Sequence, residues 1–72
     1  MKTYVTFGQQ HVHRVCNQTL DRDCVAVIEC SSASDGREKA FEYFGNKFCF
    51  RYFETDFDPE IMKYFPRGLI EV

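Results

Sequence analysis

The spacing of apolar and polar residues divides the chain into four predicted strands and two predicted helices. Residues 4–15 predict one long strand, interrupted at Gly8, where the missing Cβ permits a bend or a bulge. Residues 24–30 are a continuous apolar run, which is typical of a central strand. Strict alternation predicts a third strand over residues 47–54, and residues 69–72 predict a short last strand at a sheet edge.

The clearest helix lies between Ser32 and Gly45. Ser32 and Asp35 have the spacing of a capping box, and Gly45 stands where a helix ends in a left-handed residue. Helical periodicity places one apolar stripe between them, made by Ala33, Gly36, Ala40, Phe41 and Phe44. Glycine lowers helix propensity by about 1 kcal/mol relative to alanine, so its place on the stripe predicts a close approach of the helix to the sheet.

The remaining segments complete a single α+β domain over residues 1–72. Residues 16–23 predict a polar turn that makes the first two strands an antiparallel hairpin. Asp58 and Pro59 begin a short second helix, which Pro66 ends. The expected fold is a small four-stranded, mostly antiparallel sheet with one long helix packed on one face, in the order β-β-α-β-(short α)-β.

Aromatic residues are the expected core material of this small domain. The chain of 72 residues is 17% aromatic, and large rings bury enough surface to stabilise a small sheet. In the third predicted strand, Phe48, Phe50 and Tyr52 share one face, and we expect them to form the core under the helix.

Charge and cysteine content limit the classes of function. The net charge of −2 disfavours direct binding to nucleic acid, and no apolar stretch is long enough for a membrane span. The strand begins directly after the first residues, without a visible signal segment, so we expect a cytoplasmic protein of the host cell. Its four cysteines lack a Cys-x-x-Cys pair and are expected to be reduced: Cys16, Cys24, Cys30 and Cys49.

The two histidines are the main candidates for metal chemistry. His11 and His13 stand two apart, so on one strand both imidazoles point to the same face. Cys16 could add a thiolate, which gives a small metal-binding protein as one alternative. A structural zinc site needs four ligands, usually from two pairs, and the second pair is missing, so we expect no cofactor. Cys16 near His13 is also the one local nucleophile-base pair, and we expect no enzymatic activity.

The aromatic strand 48–52 supports another alternative, a module that binds single-stranded nucleic acid. Alternating aromatic residues there resemble the strand of an RNA recognition motif whose rings stack on bases. The chain departs from that family because it has one long helix, lacks the glycine spacing and is acidic.

Contact with a host protein is the leading hypothesis. Four carboxylates between residues 54 and 60 can present a negative patch to a basic partner. The predicted partner-binding residues are Gln10, His11, His13, Arg14, Glu54, Asp56 and Asp58. A bare sheet edge would also allow a homodimer.

Four segments resemble small proteins of phages and mobile elements. They are residues 4–13, 23–29, 37–45 and 64–68. In size and build the chain is similar to anti-CRISPR proteins, which are compact single domains that block a CRISPR effector by binding its surface. That resemblance implies a stoichiometric inhibitor without cofactor or turnover.

Overall fold

The structure, a computed structural model, describes residues 1–15 and 17–72. In these residues the chain forms six strands, one α-helix and one 3₁₀ helix. The elements are β1 (Lys2–Thr6), β2 (His13–Val15), β3 (Gln18–Leu20), β4 (Cys24–Glu29), α1 (Ala33–Phe44), β5 (Phe50–Phe53), the 3₁₀ helix (Pro59–Tyr64) and β6 (Gly68–Glu71).

Four of the strands form the main sheet, in the order β5-β1-β4-β6. Strand β1 pairs antiparallel with both β4 and β5, whereas β6 pairs parallel with β4. The fold is therefore α+β with a mixed sheet, and the expected mostly antiparallel arrangement fits it only roughly. The apolar run does form an inner strand, β4, and the last strand does lie at an edge.

The predicted interruption near Gly8 is confirmed, but the prediction that residues 4–15 form one long strand is wrong. Strand β1 ends at Thr6, and Gly8 adopts a φ of +64°, which turns the chain out of the main sheet. The chain then forms a separate two-stranded sheet from β2 and β3. Strand β3 lies within residues 16–23, where a turn was expected. Cys16, between the two strands, lies outside the described residues.

Helix α1 has the predicted boundaries. The Ser32 Oγ accepts from the Asp35 N–H at 3.1 Å, and the Asp35 carboxylate accepts from the Ser31 N–H at 2.9 Å. Gly45 ends the helix with a φ of +63°. A Cβ on Gly36 would lie 2.0 Å from the Thr3 Oγ1. The close approach of helix to sheet is confirmed, and only glycine fits at this contact.

One face of the sheet and helix α1 enclose the core. The register pairs Thr3 with Ile28 and Val5 with Ala26, so these four residues share one face. The core cluster consists of Val5, Phe7, Leu20, Cys24, Ala26, Ile28, Ala40 and Phe44. We call this side of the sheet the helix face and the other side the open face.

The connection from β5 to β6 covers part of the open face. These strands form opposite edges, so residues 54–67 must cross the sheet. Phe57, in that connection, stacks on Tyr4 with ring centroids 4.0 Å apart, and Tyr4 points away from the helix face. Both this crossover and the one through α1 join parallel strands. The two crossovers pass over opposite faces of the sheet in opposite directions, so they have the same handedness.

Candidate interaction surface

His13 lies against the core. Its Nε2 contacts the Lys47 carbonyl oxygen at 2.6 Å, and because a carbonyl only accepts, the imidazole donates. The ring centroid lies 5.6 Å from that of Phe7 and 4.9 Å from that of Phe44. These contacts give His13 a structural role at the border of the core.

His11 precedes β2 and is outside any strand. The strand alternation that would place both imidazoles on one face therefore does not apply. Among residues 1–15 and 17–72, no group of three or more His, Cys, Asp or Glu is arranged to hold a metal ion. The set of His11, His13 and Cys16 stays a prediction, since Cys16 lies outside the described residues.

His11 lines a cleft of about 300 Å³ between the segment after Gly8 and the turn at residues 21–23. The Asp21 carboxylate in that turn already accepts from the Asp23 N–H at 3.0 Å and from Arg67 at 3.3 Å. The acidic group beside the cleft is therefore used to hold the turn. Of the other predicted contact residues here, Gln10 and Arg14 are exposed.

The acidic segment, residues 54–60, combines structural and free carboxylates. Glu54 accepts from the Lys2 N–H at 2.6 Å, and Asp58 caps the 3₁₀ helix by accepting from the Glu60 N–H at 3.0 Å. Asp56 and Glu60 are exposed. Within the described residues, none of these four carboxylates forms a salt bridge, so the segment keeps its negative charge toward solvent.

The two parts of the predicted contact surface lie at opposite ends of β1. Glu54 binds the Lys2 N–H where β1 begins, whereas residues 10–14 follow the strand's other end. Five residues of strand separate these ends by roughly 13 Å. The structure therefore does not join Gln10, His11, His13 and Arg14 to the acidic segment in one patch.

The structure instead joins the acidic segment to a row of aromatic side chains. The register pairs Tyr52 with Tyr4 and Phe50 with Thr6, which places Phe50 and Tyr52 on the open face. The expectation that they form the core under the helix is wrong, and of the three predicted rings only Phe48 packs against the core. Alternation shows that residues share a face, but not which face the helix covers.

The aromatic row consists of Phe50, Tyr52, Phe57 and Tyr4. Successive ring centroids lie 6.1 Å apart from Phe50 to Tyr52, 6.3 Å from Tyr52 to Phe57 and 4.0 Å from Phe57 to Tyr4. Exposure increases along the row toward the amino end of β5: Tyr52 is half-buried, and Phe50 is 58% exposed. The row thus begins in a braced stack and ends in an accessible ring on edge strand β5.

Charge is concentrated beside this edge. Residues 50–60 contain Arg51 and four carboxylates, a net charge of −3, while the whole chain carries −2. The other residues together therefore carry +1. The signal was present in the sequence, where the acidic segment directly follows the alternating aromatic residues.

The described cysteines are free thiols in two different environments. Cys24 and Cys30 are buried, as expected for small hydrophobic residues, whereas Cys49 is exposed. Burial raises the pKa of the Cys24 thiol, which keeps it protonated and unreactive.

Comparison of the chain with protein-family models, characterised proteins and solved structures found no match. In the part of the chain that the structure describes, no helix has the length and apolar character to cross a membrane.

Proposed function

We propose that this protein is a noncatalytic binding protein that acts by stoichiometric contact with a protein partner. The observation that carries the proposal is the 58% exposure of Phe50 on an edge strand, beside the half-buried ring of Tyr52. Aromatic residues dominate the energetic centres of protein interfaces, and a large exposed ring at a sheet edge is the kind of anchor that a partner pocket accepts.

The bracing of the row supports the same function. Tyr52 lies beside Phe57, which itself stacks on Tyr4 with an interplanar angle of 13°. Rings held by their neighbours lose little conformational freedom on binding. The aromatic row therefore offers contact area at a low entropic cost.

The resemblance to anti-CRISPR proteins makes a host CRISPR effector the first partner to test. Such effectors hold nucleic acid in a positively charged channel. The acidic segment carries the complementary charge beside the aromatic row. In this more specific proposal the protein inhibits the effector by occupying a basic surface.

Capture from host lysate on the immobilised protein, followed by titration of the captured partner, tests the proposal. Phe50→Ser together with Tyr52→Ser should reduce capture strongly. Leu69→Ser is the matched control, because Leu69 is 51% exposed on the same face at the opposite edge. Retention by both variants would contradict the aromatic row as the contact surface. If the partner is a CRISPR effector, target cleavage should fall in proportion to added protein.

Binding of single-stranded nucleic acid is the second candidate, since Phe50 and Tyr52 are neighbouring rings on the open face of a strand. The adjacent acidic segment opposes it, because phosphates would meet a local charge of −3. Fluorescence anisotropy with a labelled single-stranded oligonucleotide distinguishes the two candidates. Affinity that falls steeply with salt and needs both rings would favour nucleic acid.

A further inference from the structure

We propose that β5 accepts an extended, basic segment of the partner as an added strand. This inference rests on the proposed contact function and specifies the chemistry of the segment that binds. The observations that carry it are the direction of the β5 backbone groups, the position of the aromatic row and the charge of the acidic segment.

Hydrogen bonds at the start of β1 fix which way its backbone groups point. The Cys30 N–H donates to the Met1 carbonyl at 2.8 Å, so the groups of Met1 face β4. The next residue, Lys2, directs its N–H to the other side, where it donates to Glu54 beyond the end of β5. Because these directions alternate along a strand, Tyr4 faces β5.

The same alternation fixes the outer side of β5. Tyr52 is paired with Tyr4, so its N–H and C=O point to β1. The N–H and C=O of Arg51 and the N–H of Phe53 consequently point away from the sheet, whereas the Phe53 carbonyl accepts from the Asp56 N–H at 2.9 Å and the Phe57 N–H at 3.1 Å. An added strand would therefore pair with both backbone groups of Arg51 and with the Phe53 N–H, as in other cases of strand addition.

Strand β5 is short, but its open-face side lacks the charged residues that usually protect an edge. Natural edges carry proline, bulges or charged side chains that discourage pairing. The sequence Phe50-Arg51-Tyr52-Phe53 has one charge, and Arg51 is paired with Val5, which puts its side chain on the helix face. The open-face side of the edge presents Phe50 and Tyr52 instead.

The negative charge of the acidic segment indicates which kind of strand would pair with β5. The four carboxylates of the acidic segment follow the carboxyl end of β5, so a strand added antiparallel would place its amino end beside them. Basic residues there would find complementary charge. A second copy could pair antiparallel through its own β5. Residues 45–49, just before that strand, contain a single basic residue, Lys47, which would neutralise only part of the negative charge. Nucleic acid would be repelled.

A peptide titration, monitored through the amide chemical shifts of the protein by NMR, tests strand addition directly. The probe is a short peptide of alternating Thr and Val preceded by three lysines, added up to roughly millimolar concentration, where weak complexes bind. We expect shifts confined to β5 and the acidic segment. Replacing the lysines by glutamates should abolish them, and added salt should weaken them.

Two variants of one residue separate backbone pairing from charge. Arg51→Pro removes the outward N–H and the positive charge, whereas Arg51→Gln removes the charge alone. Because losing the positive charge favours a basic peptide, Arg51→Gln should bind at least as well as wild type. Arg51→Pro should bind about fivefold or more weakly, since one hydrogen bond is lost and pairing is interrupted. A peptide N-methylated at alternate residues gives the same test without changing the protein.

Equal binding by Arg51→Pro and Arg51→Gln, or by the N-methylated peptide, would overturn strand addition. Shifts in β5 that depend on protein concentration without peptide would indicate a second copy instead. Shifts with a single-stranded oligonucleotide, and none with the basic peptide, would indicate nucleic acid. Partner capture that needs Phe50 and Tyr52 while the peptide fails to bind would leave the proposed function intact and reject this inference.

Discussion

The two faces of the sheet use aromatic residues in opposite ways. On the helix face, Phe7 is fully buried and meets Phe44 edge-on with centroids 5.0 Å apart. On the open face, Phe57 and Tyr4 stack, but the row ends in the largely exposed Phe50. Both faces are rich in rings, yet a helix covers one and an irregular crossover with a short 3₁₀ helix covers part of the other.

This difference concerns how completely the rings of each face are covered. Gly36 lets helix α1 lie close to the core strands, whereas β5 stays an edge strand on which Phe50 is 58% exposed. Small domains have little apolar surface to spare, so large rings left exposed are better explained by contact than by folding. We therefore assign the helix face to stability and propose the aromatic row as the contact surface.

The largest expected effect is on the helix face. Phe7→Ala should lower the free energy of unfolding by about 3–5 kcal/mol, because it leaves a cavity in the core. Phe50→Ala, the same substitution on the open face, should cost less than about 1 kcal/mol. Denaturant unfolding of both variants measures the difference, and equal losses would show that the two faces do not differ as described.

Gly36→Ala should cost about 1–3 kcal/mol, because the new Cβ would overlap the Thr3 Oγ1. Adding Thr3→Ala removes that oxygen but leaves the Thr3 Cβ 3.0 Å away, so recovery should be partial. Thermal melts of the single and double variants check this. If Gly36→Ala is stabilised as helix propensity alone would predict, the helix does not approach the sheet this closely.

The two histidines should differ by a smaller amount. His13→Ala loses the hydrogen bond to Lys47 and the ring contacts, which should lower stability by about 1–2 kcal/mol. His11→Ala should change stability little, so it tests partner contact at this segment more cleanly than replacing both histidines. Chemical unfolding of each variant provides the comparison, and a larger loss for His11→Ala would contradict the assignment of roles.

The smallest effect concerns the helix N-terminus. The Ser31 N–H, together with Lys39, holds the pKa of Asp35 below its ordinary value. A carboxyl group whose pKa is lower in the folded state stabilises above its unfolded pKa, near 3.9, and this contribution is lost as pH falls through the folded pKa. The melting temperature of wild type should therefore approach that of Asp35→Asn under acidic conditions. A constant difference down to low pH would exclude this linkage.

Local signals predicted part of this fold well. The cap residues Ser32 and Gly45 set the helix ends, because their backbone and side-chain requirements are local. The first predicted strand ends at Thr6 because the chain leaves the main sheet near Gly8 and continues in the two-stranded sheet. The alternation of apolar and polar residues does not show such a change of sheet. The parallel pairing of β6 and the face occupied by Phe50 depend on how the chain crosses the sheet, and those are long-range choices.

The candidate site shows the same limit. The acidic segment and the aromatic strand are both visible in the sequence, but the stacking of Phe57 on Tyr4 depends on the face of the sheet that the segment crosses. Sequence spacing relates His13 to His11, whereas the contacts of His13 are with Phe44 and Lys47. Contacts of that kind need the tertiary structure.

The most direct test of the account is hydrogen exchange of the protein alone and with its captured partner. In the free protein the outward N–H groups of Arg51 and Phe53 should exchange readily. Partner binding should protect these two amides while residues 9–14 stay unchanged. Protection confined to residues 9–14, with Arg51 and Phe53 unaffected, would contradict it and move the contact surface to the segment around His11.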